Sequence, residues 1–330
     1  MSTHTAHPAR RRLAAVAAAA AAAALLATAS PAAAQGRAPA SSPGTARAVS
    51  GGAWGTAIEV PGTAALNTVG AGGTRAVSCA SAGNCSAGGT YADSSGHNQA
   101  FVVSQVNGRW GTAKEVPGIA ALNTGGHANV NWVSCATAGN CSAGGSYKDS
   151  SGHSQVFVAS QVNGIWGTAI QIPGTAALNA DGDAYVSSVS CATAGNCSAG
   201  GYYYDSAHHG QAFVVSQVNG AWGTAKEVPG TAALNTGGRA AVYSVSCATA
   251  GNCSTGGSYT DSAGHRQVFV ASQVNGTWGT AIEVPGTAAL NTGGDASVGA
   301  VACAAAGSCT AGGSYTDSSG HGEAFVVSQA

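Results

Sequence analysis

The sequence predicts an all-β fold, a five-bladed β-propeller, and three observations lead to that prediction. Tryptophan recurs every 56 residues, at Trp54, Trp110, Trp166, Trp222 and Trp278. A C-x5-C pair recurs at the same interval, so residues 51–330 form five equal units. Each unit alternates short apolar stretches with turn signals, which predicts four antiparallel strands. Four-stranded units repeated in this way are typical of a propeller.

The second unit shows the four strands in order. Residues 129–135 alternate as a half-buried inner strand, and residues 141–147 form the return strand. A Ser-Ser-Gly loop, with its glycine in the left-handed region, leads into the third strand, residues 155–162. Asn163-Gly164 is a strong hairpin signal, and it leads into the fourth strand, residues 166–172.

The cysteines predict one disulfide across the first hairpin of every blade. All ten cysteines fall into C-x5-C pairs, and none is left over. Structural zinc sites favour closer spacings, so we expect disulfides and no metal or other cofactor. The expected pairs are Cys79 with Cys85, Cys135 with Cys141, Cys191 with Cys197, Cys247 with Cys253, and Cys303 with Cys309.

The order of the strands predicts how the ring closes. The repeats begin at Trp54 with a lone fourth strand and stop at residues 325–329, a third strand. We expect the first strand to complete the last blade, a one-plus-three closure that removes both raw sheet edges.

The N-terminal residues predict export. Residues 1–34 combine Arg10, Arg11 and Arg12 with an alanine-rich apolar stretch and a small-residue cleavage site, as secretory signals do. Sec and twin-arginine export both fit. Residues 35–50 are rich in Ala, Ser and Pro and predict a flexible linker before the propeller, residues 51–330. The predicted location is therefore secreted, extracellular or associated with the cell surface, where disulfides persist.

The charge balance argues against two classes of binding partner. Without the signal the chain keeps 9 basic and 13 acidic residues and has no basic stripe. We therefore expect neither nucleic acid nor a membrane as partner after signal removal.

The repeated phrase VSCATAGNCSAGG, followed by DSSGH and PGTAALN segments, resembles repeats in secreted proteins of high-GC actinobacteria. The likeness covers nearly the whole mature chain and implies no established activity. In architecture, the predicted five-bladed ring resembles the tachylectin-type lectins and the furanose-cleaving glycosidases, which is an analogy of fold alone.

A quartet of side chains recurs around each DSSGH hairpin and is the first candidate site. Tyr and Gln, then Asp and His, face one another across the hairpin, which offers an aromatic ring with polar groups for a sugar. The alternative is structural, because Asp commonly caps its own turn and both pairs stabilise a hairpin. The quartets are Tyr91, Asp93, His97 and Gln99; Tyr147, Asp149, His153 and Gln155; Tyr203, Asp205, His209 and Gln211; Tyr259, Asp261, His265 and Gln267; and Tyr315, Asp317, His321 and Glu323.

The second candidate site lies where the repeats differ, at alternate positions at the start of the inner strand. Diversity at a period of two marks a strand face that is free of core packing, at the predicted mouth of the central channel. Neutral drift at a solvated rim is the alternative. The candidates are His127, Asn129, Asp183, Tyr185, Arg239, Tyr243 and Asp295.

These features favour a secreted multivalent binding module for glycans or cell-wall polysaccharide, working through equivalent sites between blades. A structural or protein-binding surface protein is the main alternative. A glycoside hydrolase is the third reading, since Asp183 and Asp295, with Asp181 adjacent, share the register that an axial carboxylate pair would need. No nucleophile motif accompanies them, so we expect no enzyme.

Overall fold

The structure is a computed structural model, and it describes residues 53–329. The predicted signal and linker lie outside the described residues. The chain divides into an N-terminal unit, Met1–Thr56, and a unit of blades, Ala57–Ala330. No helix among the described residues is long and apolar enough to cross a membrane.

The unit of blades is all-β, and the prediction of five blades is confirmed. Each blade is an antiparallel sheet in which three long strands, named a, b and c, follow one another along the chain. Strand a is Gly72–Ser81, Ala128–Thr137, Ala184–Thr193, Ala240–Thr249 and Ala296–Ala305 in blades 1 to 5. Strand b is Asn84–Ala92, Asn140–Lys148, Asn196–Tyr204, Asn252–Thr260 and Ser308–Thr316. Strand c is Asn98–Val106, Ser154–Val162, Gly210–Val218, Arg266–Val274 and Gly322–Ser328.

The fourth strand differs from its prediction, because it is broken into two short pieces. In blade 2, Ile165–Trp166 pairs with the end of strand c and Ile170–Gln171 pairs with its middle. Between the pieces the N–H of Gly167 still donates to the carbonyl of Ser160, and the register then shifts by one residue, from Gln161 opposite Trp166 to Val158 opposite Ile170. The other pieces are Arg109–Trp110 and Lys114–Glu115, Ala221–Trp222 and Lys226–Glu227, and Thr277–Trp278 and Ile282–Glu283.

A single helical turn, absent from the sequence prediction, stands in each connection that precedes a strand a. The glycine before it has a positive φ, 87° at Gly174, which ends the extended chain and starts the turn. The turns are Thr63–Leu66, Ile119–Leu122, Thr175–Leu178, Thr231–Leu234 and Thr287–Leu290.

The turn chemistry matches the sequence prediction. Asn163 and Gly164 both have positive φ, 49° and 84°, as a two-residue hairpin turn of type I′ requires. The N–H of Gly164 donates to the carbonyl of Gly139 over 2.8 Å. The disulfide hairpin and the Asn-Gly turn therefore lie together at one end of the blade.

The predicted disulfides are all present, one in the hairpin between strands a and b of each blade. The second cysteine of every pair is buried, whereas the first is more exposed. The described residues contain no free cysteine. The bridges join Cys79 to Cys85, Cys135 to Cys141, Cys191 to Cys197, Cys247 to Cys253, and Cys303 to Cys309.

Neighbouring blades pack through valines that fill the space left by glycines. The γ-carbons of Val186 and Val189 in blade 3 occupy the place where a β-carbon on Gly144 of blade 2 would stand. Valine contacts of this kind recur between the other successive blades, at Gly88, Gly200 and Gly256. Phe157, fully buried, completes the core between blades 1 and 2. Small residues in strand b therefore let the sheets approach closely.

The strand expected to close the ring is not paired with the last blade among the described residues. The fifth sheet has three strands in the described part of the chain, and Ile58 and Glu59, equivalent to Lys114 and Glu115, pair with no strand. Val77 on blade 1 is 58% exposed and Val326 on blade 5 is 82% exposed, although their equivalents in other blades are buried or partly buried. On blade 5 the serine hydroxyl that joins successive blades is replaced by Ala302. Blades 1 and 5 therefore each present one exposed face, and we call these two surfaces the end faces.

Candidate functional site

The DSSGH hairpins hold each predicted quartet in the expected register. Tyr91 stands opposite Gln99, and the N–H of Asp93 donates to the carbonyl of His97 over 2.9 Å. The same pairing recurs in the other four copies. In the third copy His208 takes the place of the loop glycine, with a φ of 60°.

Most polar atoms of these quartets already have partners within the protein. Asp93 Oδ1 accepts from the N–H groups of Ser95 and His97, and Oδ2 accepts from Gln99 Nε2. Gln99 Oε1 in turn accepts from Asn123 Nδ2 in the following connection, over 2.9 Å. The bond from Gln99, with those from the two backbone groups, lowers the pKa of Asp93. The aspartate therefore stays ionised and organises its own turn.

The same bonds recur in blades 2, 3 and 4, where the glutamine and the histidine both donate hydrogen bonds to the aspartate. Each glutamine Nε2 donates to the aspartate Oδ2, and each histidine N–H donates to Oδ1. The ring Nδ1 of each of these histidines lies 3.8 Å from the aspartate Oδ2. The glutamines are therefore engaged inside the protein, which favours the structural role that the sequence left open. The sets are Asp149, His153 and Gln155; Asp205, His209 and Gln211; and Asp261, His265 and Gln267.

The tyrosine of quartets 1 to 4 is a core residue. Tyr147 is 4% exposed and packs near Phe157, with the ring centroids 6.5 Å apart. Burial raises the pKa of Tyr147 to about 12. In blade 1 the hydroxyl of Tyr91 donates to Glu115 Oε2 over 2.7 Å. Tyr203 and Tyr259 are buried in the same way.

The exposed part of each quartet is the histidine ring. It is about half exposed at His153, His209 and His265, and more exposed at His321. A ligand at these hairpins would meet an imidazole without the aromatic face of the tyrosine. Ligand binding by the quartets stays a prediction.

The fifth copy departs from this pattern. Glu323 replaces the glutamine, and it makes no side-chain hydrogen bond among the described residues, whereas Asp317 still accepts from the N–H groups of Ser319 and His321. Tyr315 is only half-buried, because no further blade covers that face.

Three of the positions that vary near the start of strand a, Tyr185, Arg239 and Tyr243, come close together between blades 3 and 4. Tyr185 stands directly opposite Tyr202 on strand b, and the two rings stack with centroids 5.9 Å apart. Tyr204, two residues further along the same face, meets Tyr202 edge-on at 6.0 Å. Three tyrosines thus form one aromatic cluster, with Tyr202 in the middle.

Blade 4 supplies the opposite wall of a cleft of about 250 Å³. Arg239 lines it from the residue before strand a and Tyr243 from strand a itself, and the Tyr243 hydroxyl lies 3.0 Å from Ser258 Oγ. Arg266 stands at its edge, where its Nε contacts Asp295 Oδ1 at 2.6 Å. We call this cleft, lined by Tyr202, Tyr204, Arg239, Tyr243 and Arg266 with Tyr185 stacked behind, the tyrosine cleft.

Only blades 3 and 4 supply this combination of side chains. The residues equivalent to Tyr202 in the other repeats are Thr or Ser, and the other equivalents of Tyr204 are Ala, Lys and Thr. Gly210 lines the cleft where blades 1, 2 and 4 carry Asn98, Ser154 and Arg266, so no side chain fills the space there. Burial, with the negative charge of Asp183, raises the pKa of Tyr202 to about 12. Its hydroxyl is therefore protonated and able to donate at neutral pH.

The remaining candidates lie apart from the cleft or at its margin. His127 Nδ1 lies 3.1 Å from Asn98 Nδ2, and Asn129 Oδ1 accepts from Ser146 Oγ. Asp181 is held by His208, whose Nδ1 lies 2.6 Å from its Oδ2. This bond raises the pKa of His208. No cluster of three or more metal-binding side chains occurs among the described residues.

Sequence reasoning found Tyr185, Arg239 and Tyr243 but missed Tyr202, Tyr204 and Arg266. The missed signal was the triplet Tyr202-Tyr203-Tyr204 in strand b, where other repeats carry one tyrosine. Among the variable positions of the five repeats, only those of strand a were expected to form a site, so the variable residues of strand b were missed. The register that pairs Tyr185 with Tyr202 then brings the two variable strands together.

No protein-family model and no curated protein matches the chain. Solved structures resemble it in arrangement only. A thermostable family-43 glycoside hydrolase is 11% identical with a TM-score of 0.38, over 80% of this chain and 91% of its own. The fucose-specific lectin from Aleuria aurantia is 10% identical with a TM-score of 0.34, over 77% and 91%. A protein of unknown function from Dyadobacter fermentans is 9% identical with a TM-score of 0.42, over 78% and 79%. At these values the likenesses assign neither a ligand nor an activity.

Proposed function

We propose that the protein is a secreted carbohydrate-binding module whose principal site is the tyrosine cleft. The observation that carries the proposal is the pair Tyr202 and Tyr204 lining the cleft beside Arg239, with Tyr185 stacked on Tyr202. Aromatic rings accept the apolar face of a sugar, while hydroxyl and guanidinium groups bond to its hydroxyls. Five disulfides support a location outside the cell.

The charges at the cleft favour a neutral ligand over an anion. Arg266 is already paired with Asp295, and Asp183 lies near Tyr202. The positive charge of Arg239 is therefore balanced by nearby carboxylates. Its guanidinium N–H groups can donate to the hydroxyl groups of a neutral sugar. The volume, about 250 Å³, lies just below the usual range of ligand pockets and suits one sugar unit or a chain end.

Binding without hydrolysis is the form we favour. A glycosidase needs two carboxyl groups on either side of the scissile bond, one protonated and one ionised. Of the three candidate carboxylates, Asp181 is bonded to His208 and Asp295 to Arg266, which leaves Asp183 without such a partner among the described residues. Release of reducing sugar from a bound glycan would contradict this part of the proposal.

A glycan array probed with oxidised residues 35–330 tests the proposal, followed by titration of any hit. We expect about one site per chain, with binding lost or reduced at least tenfold in Tyr202→Ala and Tyr204→Ala. Lys148→Ala is the matched control, because Lys148 occupies the position of Tyr204 in blade 2. It should bind as the unaltered protein does.

Other outcomes would move the function elsewhere. About five sites per chain, insensitive to Tyr204→Ala, would favour the five quartets and the multivalent binding predicted from sequence. An array without a hit would overturn carbohydrate binding and favour a structural or protein-binding role.

A further inference from the structure

The two end faces are complementary, because blade 5 carries the glycine side of an internal junction and blade 1 carries the strand-a side. At the internal junctions, valines on strand a of one blade fill the space beside a glycine of the preceding blade. On blade 5 the equivalent glycine, Gly312, faces open space apart from its own blade. On blade 1 the residues equivalent to Val186 and Val189 are Thr74 and Val77, and both are exposed.

A second complementary feature lies at the outer edge of blade 5. Trp166, Trp222 and Trp278 each donate an indole N–H to a serine of the preceding blade, over 3.3 Å. The next hydroxyl in this series is Ser272, which receives no indole N–H in the described part of the chain. It keeps the bonds to Ser254 and Gln329, whose equivalents the other serines of the series also make. A mostly apolar cleft of about 450 Å³ lies here, lined by residues that include Val270, Ile282 and Val327.

The residue whose register matches this cleft is Trp54. It stands in the same Gly-x-Trp-Gly-Thr-Ala pattern as the other repeats, and its side chain is fully exposed. Ile58, equivalent to the residues that pair with the middle of strand c, is 67% exposed. The expected pairing partner of this segment on blade 5 is Val326, which is itself 82% exposed.

We propose that these two end faces bind each other between copies of this chain. Blade 1 of one copy packs on blade 5 of the next, and residues 54–59 of the first supply the missing outer strand and the tryptophan. The contact repeats an interface that occurs four times within the chain, between successive blades. Since the two surfaces differ, the association is head-to-tail and continues until it closes or is capped.

One hydrogen bond of the internal junctions is missing from this contact. A serine in strand a accepts from a cysteine N–H of the next blade at each internal junction, but blade 5 has Ala302 at that position. Association between copies should therefore be weaker than cohesion within the chain. Ala302→Ser should restore the bond to the N–H of Cys79 and tighten association about fivefold, a typical value for one hydrogen bond. No tightening would overturn this register.

Sedimentation equilibrium of the oxidised protein tests the proposal. The unaltered protein should show a mass above that of one chain that rises with concentration. Val326→Lys and Val77→Lys should each be monomeric and folded by circular dichroism, because both side chains lie on an end face of the single chain. Val162→Lys is the matched control, since Val162 is 57% exposed on blade 2 and should still associate.

A mixture of the two end-face variants is the sharpest form of the test. Val326→Lys keeps a functional blade-1 face and Val77→Lys keeps a functional blade-5 face, so together they should form a dimer of defined size. A monomeric unaltered protein would overturn the proposal and favour closure within one chain. A mixture that stays monomeric would equally overturn it.

Discussion

The backbone N–H of Cys135 donates to the hydroxyl of Ser78 over 3.0 Å, which ties blade 2 to blade 1. Ser134, Ser190 and Ser246 make the same bond to Cys191, Cys247 and Cys303. Every internal junction thus joins the first cysteine of a disulfide to the preceding blade. The hairpin that is closed covalently is also the hairpin that anchors its blade.

Loss of one of these hydroxyls should destabilise the protein. Ser190→Ala leaves the N–H of Cys247 without its partner, and we expect the free energy of unfolding to fall by about 1 to 2 kcal/mol. Chemical denaturation under oxidising conditions measures this change. Ser206→Ala is the control, because Ser206 is exposed and should have no effect. Equal stability of the two variants would contradict the role of the junction bond.

Removal of one disulfide should cost about 2 kcal/mol, the chain-entropy value for so small a ring. The double change Cys135→Ser with Cys141→Ser tests this in blade 2, where Cys141 is buried. Reduction of all five bridges should lower the melting temperature strongly, because the core of small residues buries little apolar area for each residue. Thermal unfolding with and without reductant checks it, and an unchanged transition would show that the disulfides do not stabilise the fold.

Gly144 and Gly312 should respond differently to the same substitution. A β-carbon on Gly144 would lie 2.8 Å from γ-carbons of Val186 and Val189, so Gly144→Ala should destabilise by about 1 to 3 kcal/mol. A β-carbon on Gly312 meets only ordinary contacts at 3.4 Å or more. Gly312→Ala should therefore leave the stability of a single chain unchanged, and calorimetry on dilute protein compares the two. Similar losses in both variants would contradict the valine-to-glycine packing.

Acid should weaken the DSSGH hairpins. Burial alone would raise the pKa of Asp149, but the hydrogen bonds from Gln155 and from the N–H groups of His153 and Ser151 outweigh it and lower the pKa. A carboxylate whose pKa is lower in the folded state contributes stability that is present above its unfolded pKa. That contribution is lost as the pH falls from about 4, the unfolded value, through the folded value.

Melting temperatures measured between about pH 5 and pH 2 test this dependence. The unaltered protein should lose stability across that range, and Asp149→Asn should flatten part of the loss. The same slope in both proteins would show that the carboxylate of Asp149 is not involved. Asp183→Asn provides a comparison, because Asp183 is exposed and caps no such turn.

The sequence predicts the blades because their determinants are local. Asn163-Gly164 sets a turn, Cys135 and Cys141 set a hairpin, and alternation sets which side chains face inward. The break in the fourth strand could not be read in this way. It comes from a one-residue shift in the pairing with strand c, which the alternation of side chains does not reveal.

In the candidate site, too, the features set by local sequence could be predicted, and those set by a neighbouring blade could not. The pairing of Tyr147 with Gln155 follows from hairpin register, whereas the burial of Tyr147 depends on the neighbouring blade. The tyrosine cleft combines residues from strands a and b of two adjacent blades, so it could not be predicted from one strand alone. Closure also depends on distant surfaces, and a repeat count cannot show whether the end faces meet.

The bond between each anchoring serine and the next cysteine also has a mechanical consequence. Pulled from its two ends, the blade unit is a set of near-identical elements in series, and each blade is held to its neighbours by the same contacts. The end blades, with one neighbour each, should yield first. Each disulfide spans a sequence separation of 6 residues and keeps that short loop from extending. Stretching should therefore proceed in regular steps of about 170 Å, the length of roughly 50 extended residues.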